Sequence, residues 1–195
     1  AAPARNPDGE QRRWAAEVMS VLSEFQIWRS DVAGLLDMAL RSLNVIEPAG
    51  PCKEAARVYS LVAVLFSTVP LHGVCRRWAD HALVLAAAHC SPGELGFVES
   101  RVGVYEIHTA RWPQAVALLR SSLDRSRAFG ERRMLAEVLV VLGNAHLYEG
   151  RIDLAQPLFE EARDLARAND IVQVVSWTDI SVGRCEMRRG AWPQA

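Results

Sequence analysis

Four cysteines (Cys52, Cys75, Cys90, Cys185) and five histidines (His72, His81, His89, His108, His146) carry the most reactive side chains of this sequence. Thiolates and imidazoles hold zinc or copper when three or four of them converge, and close spacing along the chain is the usual signature. Here no two cysteines form a CxxC pair, and no Cys–His spacing fits a zinc motif. His81 and His89 lie two turns apart on one helix face with Cys90 beside them, but a third close ligand is missing. We therefore expect no metal. Nothing points to secretion, so the cysteines read as buried free thiols rather than disulfides. The sequence offers no Ser-His-Asp or Cys-His arrangement with motif-level support, no carboxylate pair of the glycosidase kind and no GxxxxGK[ST] phosphate loop. The expectation is a non-enzyme with no catalytic residue and no cofactor.

What remains is chemistry of recognition. Six tryptophans (Trp14, Trp28, Trp78, Trp112, Trp177, Trp192) supply apolar area, and Arg132-Arg133, Arg184 and Arg188-Arg189 supply charge. Arginines of this kind usually form a solvated face or pair with neighbouring carboxylates. Arg184 and Arg188, one helical turn apart, can also grip an acidic side chain or a terminal carboxylate through paired N–H groups; the alternative is internal pairing with Glu149 or Glu186. Net charge is −1. A nucleic-acid binder ordinarily carries a basic excess, so none is expected to be contacted. Of 22 basic residues only Lys53 is lysine. With abundant alanine, this has the look of a high-GC bacterial coding sequence.

Half of the 195 residues are hydrophobic and 23% are charged, which is the composition of a folded chain. Residues 1–9 read as a loose polar tail without the apolar centre of a signal peptide. The most apolar run, Val58 to Leu71, falls well short of a membrane span, and Pro70 ends it. A cytoplasmic protein with no membrane contact is the default. The strongest pattern is internal repetition. Arg111-Trp112-Pro113-Gln114-Ala115, Arg151-Ile152-Asp153-Leu154-Ala155 and Ala191-Trp192-Pro193-Gln194-Ala195 start forty residues apart, each preceded by a small residue, Ala110, Gly150 or Gly190. Between them, apolar residues recur at three- and four-residue spacing, as in Met134, Val138, Val141, Leu142, Ala145 and again in Leu154, Leu158, Ala162, Leu165. Glycine closes a helix in the left-handed conformation and proline opens one, so the unit is helix, tight turn, helix. Ser91 with Glu94 reads as a capping box, Asn169-Asp170 as another helix start, and Glu47 to Pro51 as a turn between units. Cys75-Arg76-Arg77-Trp78-Ala79 aligns with the Trp-Pro-Gln-Ala signature, but only 36 residues before Ala115, which implies a shorter unit there. Helices are placed at 10–29, 32–46, 52–69, 73–89, 93–109, 113–128, 131–148, 152–168 and 171–189. Together they form one domain over 10–195, about four and a half hairpins with the last one cut short at Ala195, as in a piece of a larger protein.

One unit resembles the tetratricopeptide repeat, through Leu139, Leu142, Gly143, His146, Gly150, Ala155, Phe159 and Ala162. Val182, Gly183, Gly190 and Ala195 match in the next unit, and Val102, Gly103, Ala110, Ala115 and Leu119 in the one before. Units of forty residues rather than 34, and the missing proline after the second helix, depart from the pattern; Ser67 and Ile27 stand at the glycine position of the N-terminal half. The resemblance implies an all-α fold of antiparallel hairpins stacked into a right-handed superhelix, an α-solenoid, with Gly103, Gly143 and Gly183 admitting close helix contact. It implies a groove lined by the first helix of each pair. That face carries Val104, His108, Asn144, Tyr148, Trp177, Arg184 and Arg188, and would take a helix or an extended peptide from a partner protein, an acidic one included. Val140 stands where the chaperone-binding repeats have a clamp lysine, so chaperone binding is not expected. The long units also resemble the C-terminal arrays of bacterial signal-transduction ATPases, including maltose-regulator-like and cyclase- or kinase-linked proteins. On that likeness the alternative function is a ligand-sensing array controlling a fused ATPase, cyclase or transcription-factor domain. A self-associating spacer, joined through the cut end, is a third reading.

Overall fold

The computed structural model describes residues 7–28, 31–69 and 71–190, with the side chains of 7 and 24–28 excepted. Nine α-helices and no strand occur among the described residues: α1 Pro7–Trp28, α2 Val32–Ile46, α3 Lys53–Leu65, α4 His72–His89, α5 Pro92–His108, α6 Trp112–Phe129, α7 Arg132–Tyr148, α8 Ile152–Ala168 and α9 Val172–Arg188. Single 3-10 turns follow α2 and α3. Pro7 to Gly9 already belong to α1; the rest of the expected tail, like Pro70 and the Trp192 repeat signature, lies outside the described residues.

From α4 onward the helices begin at residues 72, 92, 112, 132, 152 and 172, twenty residues apart. The spacing is kept by how each helix ends. Ala110, Gly130, Gly150, Asp170 and Gly190, again twenty apart, all have positive φ. At three of these ends the same bond forms three residues past the helix: the amides of Arg111, Arg151 and Ile171 donate to the carbonyls of Glu106, His146 and Ala166 at 2.8–2.9 Å. This left-handed closure satisfies carbonyls that would otherwise lack donors. It corrects two sequence expectations. Asp170 does not start α9; it closes α8 in the left-handed conformation, which the short polar side chain of Asp tolerates, and Asn169 Nδ2 beside it donates to the Leu165 carbonyl at 2.8 Å. The unit before Ala115 is not shorter either. Since α4 and α6 begin forty residues apart, Cys75 stands with Ala115 and Ala79 with Leu119, all fully buried, while Trp78 falls beside Leu118 rather than Trp112. In the same register Ala63 and Ser23, both buried, occupy the Gly143 position, not Ser67 and Ile27.

The chain forms two compact units, residues 1–105 and 106–195. In the first, α1 packs on α2, α2 on α3 and α3 on α4, and α1 also meets α3. Ala39, Ile46, Ala56, Val62, Cys75, Ala79 and Ala86 are fully buried there. The α5 start is a capping box: the Ser91 amide donates to Glu94 Oε2 at 2.9 Å, and the Glu94 amide donates to Ser91 Oγ at 3.4 Å. Lys53 Nζ donates to the other Glu94 oxygen at 2.8 Å, tying α3 to α5. Burial alone pushes the Glu94 carboxyl up, but the bonds from Lys53 and Ser91 outweigh it and hold the group at about 2.

In the second unit, α6 packs on α7, α7 on α8, α8 on α9, and the first helices α7 and α9 meet each other. Its core runs through Leu119, Ala136, Leu139, Ala145, Phe159, Ala162 and Val174. α8 begins at Ile152 after the N-cap Arg151, so Pro157 sits inside the helix and leaves the Asp153 carbonyl without its i+4 donor. At Gly143 of α7 the helices leave no room for a side chain: an added Cβ would stand 2.5 Å from Cε1 of Phe159. Gly183 differs from the expectation of close packing: a Cβ there meets nothing within 4 Å. Gly143→Ala should therefore lower stability by about 1–3 kcal/mol through overpacking. Gly183→Ala should leave it unchanged or raise it by up to ~1 kcal/mol through helix propensity. Denaturant melts of the two variants check this opposition of signs.

Candidate partner-binding site

The face built by the first helices of the second unit gathers most of the predicted site. α7 and α9 are one repeat apart, so Asn144 and Arg184 hold equivalent positions, as do Tyr148 and Arg188. A pocket of about 540 Å³ is lined by Leu147, Tyr148, Arg184, Met187 and Arg188. Tyr148, Arg184 and Arg188 are thus brought together. Leu147 and Met187, a buried residue and an exposed one at the same repeat position, escaped sequence reasoning because apolar residues spaced by the repeat look like core. Trp177 is exposed on α9 and Asn144 is half-buried on α7, neither lining that pocket. His108 is exposed at the end of α5, and Val104 is half-buried on the same helix but belongs to the first unit.

The charges divide into committed and open groups. Neither Arg184 nor Arg188 pairs with Glu149 or Glu186. Glu149 is held by Arg151 at 3.2 Å and Glu186 by Arg189 at 3.7 Å. Arg189 also holds Asp153 at 2.9 Å and donates to Gln156 Oε1. Arg188 is instead tethered to the backbone, with Nη1 donating to the Leu147 carbonyl at 2.7 Å, near the end of α7. That carbonyl also accepts from the Gly150 amide at 3.1 Å, so the arginine is its second donor, and the bond fixes the guanidinium at the pocket wall. Arg184, exposed, makes no ion pair or hydrogen bond among the described residues. No carboxylate lines the pocket. Asn144 Oδ1 is buried without a hydrogen-bond partner, an acceptor of the kind that costs free energy until a donor arrives. The arrangement suits an anionic group with an apolar neighbour: guanidinium N–H groups for the charge, Leu147, Met187 and the Tyr148 ring for the carbon.

Beneath this face lies His146, buried, with Nδ1 lacking a hydrogen-bond partner and standing 3.8 Å from Glu149 Oε2. Burial, reinforced by Arg120, pushes its pKa below the ordinary value. Several other rings and charges pair within the fold. Trp78 packs edge-to-face on Phe66 with ring centres 6.0 Å apart, Tyr59 on His81 at 5.0 Å, and Trp112 rests on the second-unit core. Arg133 pairs with Glu137 at 3.0 Å. Among the described residues no three His, Cys, Asp or Glu side chains gather to hold a metal ion, and no helix is long and apolar enough to cross a membrane.

Helical hairpins in a forty-residue register, with a glycine against Phe159 where α7 meets α8 and a left-handed residue after each helix from α5 to α9, make this a tetratricopeptide-like array. Residues 95–168 match the family model of the tetratricopeptide repeat. Among solved structures, the chain is similar to a signal transduction ATPase with numerous domains (STAND) protein with a tetratricopeptide repeat sensor from Pyrococcus horikoshii. There the TM-score is 0.58 at 12% identity, over 92% of this chain and 28% of that one. BtubC (BKLC) from P. vanneervenii gives a TM-score of 0.62 at 15% identity, over 97% and 85% of the two chains. PilF of Pseudomonas aeruginosa gives 0.54 at 16%, over 89% and 78%. This chain therefore spans little more than a quarter of the STAND protein. No curated protein matches the sequence. Repeats of this kind generally mediate protein–protein interaction and typically belong to non-catalytic scaffolds.

His146 generates a pH prediction. Its proton is lost more readily in the fold than in the unfolded chain, so the unfolded state binds more protons as the pH falls through about 6.5. The contribution of His146 is fully present above that value and declines below it. The stability difference between wild type and His146→Gln should narrow as the pH falls from about 7.5 to about 5. Urea melts of both proteins across that range measure it; a constant difference would place the charged imidazole comfortably in the fold.

Proposed function

We propose that the chain is a protein-interaction module whose second unit holds a peptide segment of a partner protein against the α7–α9 face, with an acidic side chain or terminal carboxylate of the partner on Arg184 and Arg188. The observation that carries this reading is the pocket of two arginines with no lining carboxylate, one guanidinium fixed by the Leu147 carbonyl and the other uncommitted. A fixed arginine loses little freedom on binding, and a charge-assisted pair at the edge of an apolar pocket is stronger than one in open water. Asn144 and Trp177, on the same two helices, extend the surface for the rest of the segment, and the exposed His108 and the half-buried Val104 continue the first-helix pattern in sequence. One array over 10–195, working in the bacterial cytoplasm, is the setting that composition favours. The STAND likeness, with its tetratricopeptide repeat sensor, supports a second reading in which such an array senses a ligand for a fused signalling domain.

Matched pairs of fluorescent peptides, acidic and amide-neutralised, test the first reading. Wild type should prefer the acidic member. Arg184→Glu should weaken that binding about tenfold or more, near 1.4 kcal/mol, while shifting stability by less than ~0.5 kcal/mol. Arg188→Glu should lower both, because it also loses the hydrogen bond to the Leu147 carbonyl, worth about 1 kcal/mol. Equal affinity for the acidic and neutral members would remove the arginines from recognition.

A further inference from the structure

Lys53 and Arg57 stand one turn apart on α3, and two repeat units further on the same positions of α7 hold Arg133 and Glu137. In α7 those two pair with each other at 3.0 Å. In α3 the carboxylate is replaced by a second cation. Lys53 finds its counter-charge on α5 instead, with Nζ 2.8 Å from Glu94 Oε1, and Glu54 and Glu17 add their fields at the same ammonium. Arg57 is left over.

What Arg57 meets is a ring. Its Cζ stands 4.9 Å from the centre of Phe97, which holds the matching position of α5. Arg101, one turn further along α5, brings its Cζ to 5.0 Å from the same centre. All three side chains are half-buried. The face of an aromatic ring attracts a guanidinium and steadies it, yet supplies no counter-charge and leaves N–H groups at the guanidinium edge for an acceptor. Among the described residues neither arginine makes an ion pair or a hydrogen bond. Arg57 Nε is buried without an acceptor. A buried donor left unmatched costs free energy, and so do two like charges gathered at one ring. A bound oxyanion relieves both.

We propose that Arg57 and Arg101, steadied by the Phe97 ring, form a binding site of the first unit for a phosphoryl group. The charge count selects this ligand. A carboxylate brings one negative charge and two oxygens, which leaves one guanidinium unmatched. A phosphoryl group at neutral pH brings close to two charges and three acceptor oxygens, enough for both arginines. Neither arginine is tied to a carboxylate, so both long side chains are free to turn their N–H edges onto one anion. The site is separate from the arginine pocket between α7 and α9, since Arg57, Phe97 and Arg101 all belong to the first unit.

Inorganic phosphate serves as the probe, titrated at constant ionic strength and followed by its phosphorus NMR line width. The protein carries Arg184→Glu, which silences the arginine pocket of the second unit. Saturable binding is expected, weakened about tenfold or more by adding Arg101→Gln and likewise by adding Arg57→Gln. Both variants should keep the helical circular dichroism of the parent; if one does not, the other decides. A phosphoserine peptide with neutral flanks then separates the sources. Binding about tenfold tighter than inorganic phosphate supports a phosphorylated protein as the ligand, and equal binding supports a free phosphate compound. Absence of saturable phosphate binding, or binding that the folded variants leave unchanged, overturns the proposal. So does equal affinity for the same peptide with aspartate in place of phosphoserine, since the site would then read a single charge.

Discussion

A helix that must stop every twenty residues is the constraint on which this molecule rests. From α5 onward, seventeen or eighteen helical residues followed by a left-handed residue return the chain to the same face each time, so apolar side chains forty positions apart meet equivalent neighbours. The positive φ at Gly130, Gly150 and Gly190 costs little. At Ala110 and Asp170 it works against a Cβ, at roughly 1–2 kcal/mol. That the turn survives there shows how strongly the flanking packing determines it. Because each closure bond is made within the chain, the turns need no help from a neighbouring hairpin, and the apolar faces remain for stacking.

Stacking then sorts the polar groups. In the second unit nearly every carboxylate near the ends of α7 and α9 is taken by an arginine other than the two that line the pocket, through Arg151, Arg189 and their partners. Arg188 is spent on backbone, which holds it still without neutralising it. The charge available to a partner is set by these internal commitments more than by composition, since the chain as a whole is close to neutral.

Helix placement was legible because the stop and start residues are of the right types: Gly150 and Gly190 to close, Pro113 and Pro92 to open, Ser91 with Glu94 to cap. Register in the N-terminal half was not. A Trp-Ala pair at 78–79 imitates the Trp-Pro-Gln-Ala signature, and the tryptophan outweighed the fully buried Cys75, which is the true counterpart of Ala115. Ala110 and Asp170 have no side chain that announces a left-handed turn to a reader of sequence. Spacing alone flagged Arg184 and Arg188, but whether either was committed depended on Arg151 and Arg189, whose reach across the turn no linear spacing reveals. Gly143 and Gly183 look alike in sequence; only the ring of Phe159 against the first distinguishes them.

Lys53, the single lysine, joins α3 to the cap of α5 through Glu94. The hydrogen bond to that carboxylate holds the ammonium proton more firmly than in a free lysine, and a protonated amine is no nucleophile. Acylating reagents therefore find one side-chain amine in the whole chain, partly exposed and paired with a carboxylate. Covalent labelling of the native protein marks a single known atom, at the corner where α3 meets the start of α5, without any engineered probe.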